Sequence, residues 1–382
     1  MPKFDHVVVD SADPFERGRQ RGAQVRDALT WTWPLYKRLF ELTAHDAGRP
    51  YVDVGAVATS CREAVADWSP DVLRELDGVA AGAGLDAGTV MALNARTEVF
   101  ARARGDGPTE CSTLVALHGR AGTAVGAQTW DWHDELSHGW HVQTVRGNRH
   151  TFVGLAEFGM LAKIGVNDAG VGVLFNLLRH ASDGGRPLAA SHDAAAPDVP
   201  IGRAGADGAV PVHLVAHEVL ARASTLDEAV SIARSAPVIG STVLTVLTAD
   251  GALSVELSPA GAGCISPAEG WLVHTNHFLD PLLASGERVA QDITTTFERA
   301  ALLRVRARQA QLPIDVESLV ALLDAHEGDG AAVCRHPPPD ASTGYRTATL
   351  ATVGIDPARR TARVSAHGPC RRAEIVELTA SR

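Results

Sequence analysis

The sequence predicts an α+β fold, a four-layer αββα sandwich folded as one domain. Three observations carry that expectation. The first hundred residues repeat apolar positions at helical spacing; near residue 111 the texture changes to short strand-like runs parted by Gly, Asn and Asp turns; helices then return between later strands. The strands outline two antiparallel sheets, with helices available for both outer faces.

Taken in order, Phe15–Glu41 reads as a helix started by Asp13-Pro14. Val54–Trp68 and Pro70–Ala81 read as two more. Thr89–Arg102 reads as a single helix capped by Thr89 after Gly88, and Gly105-Asp106-Gly107-Pro108 stops it. Strands are expected at Ser112–Leu117, Ala124–Thr129, His141–Val145, Thr151–Ala156, Leu161–Val166 and Gly172–Phe175. Asn167-Asp168-Ala169-Gly170 is a strong hairpin signal. Ala181–Val210 has no periodic pattern and reads as a long mobile surface loop. Helices Val212–Ala223 and Thr225–Ser235 follow, then strands Thr242–Ala249, Leu253–Leu257 and Trp271–Thr275. Helices Thr295–Gln311 and Val316–His326 precede a closing strand pair, Ala348–Ile355 and Thr361–Ala366.

With 382 residues, 45% of them hydrophobic, the chain can bury a substantial core without disulfides or metal. A net charge of -10 argues against nucleic acid or an anionic membrane as partner. The basic runs Arg304–Arg308 and Arg359–Arg372 read as a solvated helix face and a hairpin edge. No secretory signal and no long apolar run is visible, so the expectation is a soluble, cytoplasmic protein. The five cysteines are odd in number, widely spaced and free of CxxC, which argues against a disulfide framework or a zinc knuckle. Cys61, Cys264 and Cys370 read as small buried hydrophobes. His274 and His277 are set aside as metal ligands because no third ligand is evident. No metal and no cofactor is expected.

GxSxG, HExxH and P-loop motifs are absent. Cys111 stands out by position, between a turn-rich linker and the first strand of the meander. A cysteine there can attack the preceding carbonyl, release the upstream chain and keep its new α-amine as general base. That amine has an intrinsic pKa of roughly 7.7–8.0.

The surrounding blocks strengthen this reading. They are Asn94-Ala95-Arg96-Thr97-Glu98, Glu110-Cys111-Ser112-Thr113, Gln128-Thr129-Trp130-Asp131-Trp132, Gly165–Val171, Val273-His274-Thr275-Asn276-His277 and Cys334-Arg335. In order and approximate spacing they resemble the isopenicillin-N acyltransferase family, the acyl-coenzyme A:6-aminopenicillanate acyltransferases. Asp13–Gly18 is similar to that family's opening segment, and hydrolases that release β-alanine from biogenic amines look like relatives. The resemblance implies an N-terminal-nucleophile αββα fold and self-cleavage between Glu110 and Cys111. It also implies two segments, 1–110 and 111–382, that remain associated as a heterodimer within one domain, with a higher oligomer left open.

By the same resemblance Cys111 is the nucleophile. Asp131 orients the freed amine or binds the amine side of the substrate, Asn276 donates to the oxyanion, and Arg335 meets a substrate carboxylate or Asp131. Arg96, Glu98 and Cys334 are expected to pack or pair structurally. Glu110 departs from the glycine of the fungal penicillin enzyme, and the loop 181–210 looks longer than the family's. The expected substrate is a small-molecule amide or thioester. Hydrolysis of an N-acyl or N-aminoacyl amide is the first reading, acyl-coenzyme A-dependent N-acyl transfer the second, and a non-catalytic binding protein the third.

Overall fold

The computed structural model describes residues 5–48, 51–103, 111–119, 122–184, 209–289, 295–337, 339–371 and 373–381. The N-terminal part comprises β1 (His6–Asp10), α1 (Pro14–Asp46), α2 (Val54–Trp68), α3 (Pro70–Ala83), α4 (Ala87–Asn94) and α5 (Arg96–Ala103). Pro14 occupies the first turn of α1, where its missing N–H costs nothing. Helices α1 and α3 pack with their backbones nearly touching. A Cβ on Gly18 would lie 1.9 Å from the Glu75 carbonyl, and one on Gly78 2.0 Å from that of Phe15. Beside this contact, Glu75 is buried against Arg17 at 2.6 Å and Arg21 at 3.4 Å.

The expected helix over 89–102 is broken at Ala95 into α4 and α5. Its cap is Asp86, which accepts from the Thr89 N–H at 2.8 Å, so Thr89 is the capped residue rather than the cap.

The meander follows as β2 (Cys111–Ala116), β3 (Val125–His133), β4 (Trp140–Arg146), β5 (Phe152–Glu157), β6 (Ile164–Asn167) and β7 (Gly172–Leu177). Next come α6 (Val212–Arg222), α7 (Leu226–Ser235), β8 (Thr242–Thr248), β9 (Gly251–Ser258), β10 (Gly261–Ile265), β11 (Trp271–His274) and the short α8 (Pro281–Ala284). The chain continues with α9 (Thr296–Gln309), α10 (Val316–Leu322), β12 (Thr347–Asp356), β13 (Thr361–Ala366) and β14 (Ala373–Thr379). One sheet runs β1-β4-β5-β6-β7-β8-β9-β10 and the other β11-β2-β3-β12-β13-β14. The sheets pack face to face, α6 and α7 cover the first, and α9 and α10 cover the second. This is the expected four-layer αββα sandwich. Three strands, β1, β10 and β14, are additions to the sequence pattern. β1 also pairs in parallel with β4, so the first sheet is not wholly antiparallel.

Alternation along β2 decides which side chains meet which layer. Leu114 and Ala116 join the cluster under α9 and α10, whereas Cys111 and Val115 join the core that includes the inter-sheet space. Most of the loop expected at 181–210 lies outside the described residues, as does Glu110. Among the described residues, no helix is long and apolar enough to cross a membrane. Cys61 is buried as expected, but Cys264 and Cys370 are exposed. Both lie where the chain reaches the periphery, Cys264 in the edge strand β10 and Cys370 in the β13–β14 turn.

Candidate active site

Cys111 is the first residue of β2, opposite Trp130 on β3, which puts it beside Asp131. The Cys111 Sγ lies 3.9 Å from the Asp131 carbonyl oxygen and is buried. A small cavity beside it is lined by Trp130, Asp131, Trp132, Lys163, Phe175 and Leu177. Aromatic and aliphatic walls therefore surround three polar groups: a thiol, a carboxylate and an ammonium.

The backbone of Cys111 is held from the other side. Its N–H donates to Asn276 Oδ1 at 2.8 Å, and its carbonyl accepts from Arg299 Nη1 at 2.7 Å. The same Arg299 nitrogen donates to Ser112 Oγ at 2.8 Å, while Arg299 Nη2 donates to Asn276 Oδ1 at 3.0 Å. Asn276 Nδ2 donates to the Leu177 carbonyl at 2.9 Å. An acceptor facing two donors and a donor facing a carbonyl leave one amide orientation, so Asn276 presents oxygen to Cys111. The resemblance assigns Asn276 a donor role toward an oxyanion. The hydrogen bonds add a second role, a side chain whose oxygen holds the Cys111 nitrogen, while its NH2, which carries two hydrogens, donates one to Leu177.

Asp131, on β3, is buried, and Thr349 on β12 donates to its Oδ1 at 2.7 Å. Thr349 Oγ1 also accepts from the Arg335 N–H at 2.8 Å, and the Thr349 N–H donates to the Arg335 carbonyl at 3.1 Å. Three expected residues, Cys111, Asp131 and Asn276, thus meet at one point, and Arg335 is tied to Asp131 through Thr349.

Sequence reasoning missed Arg299 and Lys163. Arg299 is legible in retrospect. It shares the buried stripe of α9 with Thr296, Ala300, Leu303 and Ala307, and a cation on an apolar stripe must have buried partners. Lys163 gives no such signal: it falls inside the expected strand Leu161–Val166, whereas β6 begins only at Ile164 and Lys163 lies in the connection before it. Its Nζ sits 2.8 Å from Glu157 Oε1 and 4.4 Å from the Trp130 ring centroid. Arg96 reaches the same Glu157 oxygen at 2.6 Å and stacks over Trp132 at 4.1 Å, and Tyr36 donates to Glu157 Oε2. Arg96 therefore pairs structurally, as expected, and Glu98 accepts from the Val212 N–H at 2.9 Å.

The electrostatics follow from this layout. Burial pushes the Cys111 thiol up to about 12, and the Asp131 charge adds to the rise; Lys163 and Arg299 act in the opposite direction. Burial brings Lys163 down to about 8, with Arg96 adding to the fall and Glu157 opposing it. Glu157 is held well below the usual carboxylate range because its cationic partners overcome the cost of burying it. An un-ionised thiol next to an anion needs a base before it can attack.

Residues 201–371 match the model of the acyl-coenzyme A:6-aminopenicillanic acid acyl-transferase family, so the resemblance read from the sequence is met over that stretch. Among solved structures, penicillin V acylase from Agrobacterium tumefaciens is similar at 15% identity and a TM-score of 0.44. That likeness covers 67% of this chain and 83% of that one. A variant of conjugated bile acid hydrolase from Clostridium perfringens is similar at 13% identity and a TM-score of 0.45, covering 70% of this chain and 92% of that one.

Proposed function

With the acyl-transferase family match of residues 201–371 as premise, we propose that this chain is a self-cleaving N-terminal-nucleophile amidohydrolase. In this reading the Cys111 Sγ attacks the Glu110 carbonyl carbon. The peptide C–N bond breaks as the thioester forms, and the nitrogen of Cys111 takes up a proton to become an amine. Water then hydrolyses the thioester, giving segments 1–110 and 111–382.

The observation that carries the reading is the grip on the Cys111 backbone nitrogen by Asn276 Oδ1 at 2.8 Å. A neutral amide N–H is a modest donor. An α-amine at the same place has an intrinsic pKa of roughly 7.7–8.0 and is a base placed beside a thiol that burial keeps un-ionised. Asp131, on the opposite flank, stabilises the ammonium that results and attracts a cationic amine on the substrate.

In turnover the thiolate attacks the substrate carbonyl, the α-ammonium protonates the leaving amine, and water resolves the thioester. Trp130, Trp132, Phe175 and Leu177 suit a compact apolar acyl or amine group. The description of the matching family favours a second reading, in which an amine rather than water resolves the thioester and an acyl-coenzyme A is the donor. The test is a panel of N-acyl and N-aminoacyl amides and acyl-coenzyme A esters, quenched in acid for mass spectrometry. The reading expects an acyl adduct on the Cys111 peptide that decays in water. An adduct that decays only when an amine is added selects the second reading, and turnover that survives Cys111→Ala overturns both.

A further inference from the structure

Away from the cavity, four side chains converge on one point of the surface. Cys334 and His336 follow α10, His326 precedes the short turn Glu327–Asp329, and Cys370 lies in the β13–β14 turn. Their ligand atoms all lie within 4.8 Å of one another. Cys334 Sγ is 3.4 Å from Cys370 Sγ, His326 Nε2 is 3.3 Å from His336 Nε2, and His336 Nε2 is 3.8 Å from Cys334 Sγ and 3.4 Å from Cys370 Sγ.

We propose that Cys334, Cys370, His326 and His336 form a Cys2His2 site for a zinc-type divalent cation. At Zn–S near 2.3 Å and Zn–N near 2.0–2.1 Å, tetrahedral ligands stand about 3.3–3.8 Å apart, which is the range of these four separations. A pair of cysteines alone would suit a disulfide, but that leaves two imidazole nitrogens aimed at the same point unexplained. Two thiolates balance a dication, and imidazole completes a ligand set suited to zinc. On binding, each thiol loses a proton to solvent.

The surroundings fit a built site. Cys334 is 1% exposed, whereas Cys370 and His336 reach solvent and give the ion a way in. A Cβ on Gly368 would fall 2.2 Å from Cys334 Sγ, so only glycine lets the turn come this close. Asp324 Oδ1 faces His326 Nδ1 at 3.9 Å, on the ring nitrogen away from the ion. Arg371, next in sequence to Cys370, adds a positive charge nearby, which the two thiolates offset. With four protein ligands and no open position, the ion is structural. It joins the β13–β14 turn to the segment that carries Arg335, and this holds whatever reaction the chain performs.

The test is cobalt and zinc titration of the metal-free, reduced full chain. The expected result is one ion per chain, a thiolate-to-cobalt charge-transfer band with intense tetrahedral visible bands, and a rise in Tm with zinc. The band should persist in Cys111→Ala, and affinity should fall more than ten-fold in both Cys370→Ser and His336→Ala. Circular dichroism of the metal-free variants checks that they fold. The absence of a thiolate band at one equivalent, or an unchanged band in the folded Cys370→Ser and His336→Ala variants, overturns the proposal. So does a Cys334–Cys370 disulfide that persists in reducing buffer and blocks cobalt.

Discussion

Asn276 Oδ1 accepts from both the Cys111 N–H and Arg299 Nη2, so one side-chain oxygen joins the start of β2 to helix α9. Arg299 in turn holds the Cys111 carbonyl and Ser112 Oγ. The residue that carries the nucleophile is therefore clamped at nitrogen and carbonyl by the same pair. Asn276→Leu should keep the fold yet lower the rate of self-cleavage roughly 100-fold, the order seen when a catalytic polar contact is removed. Time-resolved denaturing electrophoresis of freshly folded chain measures it.

Arg299→Lys tests the clamp's geometry. Lysine keeps the charge but cannot span three acceptors with one planar fork. Processing should slow about ten-fold or more, while the folded far-ultraviolet spectrum is retained. Processing at the wild-type rate would remove Arg299 from the account.

Lys163 supplies positive charge to the cavity only while protonated, and it titrates at about 8. Its support of the Cys111 thiolate is present below that pH and lost above it. Lys163→Met should lower kcat/KM roughly 10–100-fold near pH 7, with a smaller ratio to wild type at pH 9.5. Equal ratios at both pH values would show that Lys163 acts through packing alone.

Arg96 and Glu157 lie on opposite sides of the proposed cut and pair at 2.6 Å, with both side chains buried. Breaking a buried pair from one side typically costs about 3–5 kcal/mol. Arg96→Met should lower the urea midpoint accordingly and loosen segment 1–110 from 111–382, which size exclusion at low concentration detects.

His141 is buried, stacked on Phe158 at 5.2 Å, and has no hydrogen-bond partner among the described residues. Burial first, with Arg21 and His6 adding to it, brings its pKa down to about 3. A depressed folded pKa means that stability is present above the unfolded value near 6.5 and is lost as pH falls below it. His141→Phe keeps the stack and removes the titration. Between pH 8 and pH 5 its stability relative to wild type should improve by about 2 kcal/mol in urea unfolding.

The layer architecture and nearly every central element were legible because period 3.6 and period 2 patterns mark them. Three of the four edge strands were not, β11 being the exception. β1 alternates in burial, but its exposed Val8 between buried Val7 and Val9 hides the period in the sequence, and β10 is Gly-rich with one buried residue. Cys111, Asp131, Asn276 and Arg335 could be picked out because each sits in a local block of motif residues. The orientation of the Asn276 amide could not, since Leu177 and Arg299, which decide it, are distant in sequence. The cluster of Cys334, Cys370, His326 and His336 was hidden for the same reason: His336 and Cys370 are 34 positions apart, and β12 and β13 fold away the chain between them.

Intact-mass spectrometry of the purified chain, with N-terminal sequencing of its products, tests the central claim most directly. The account predicts two fragments from wild type, the larger beginning at Cys111, and a single uncut chain from Cys111→Ala. An enzyme that is fully active while Cys111 is still peptide-bonded to Glu110 would contradict it.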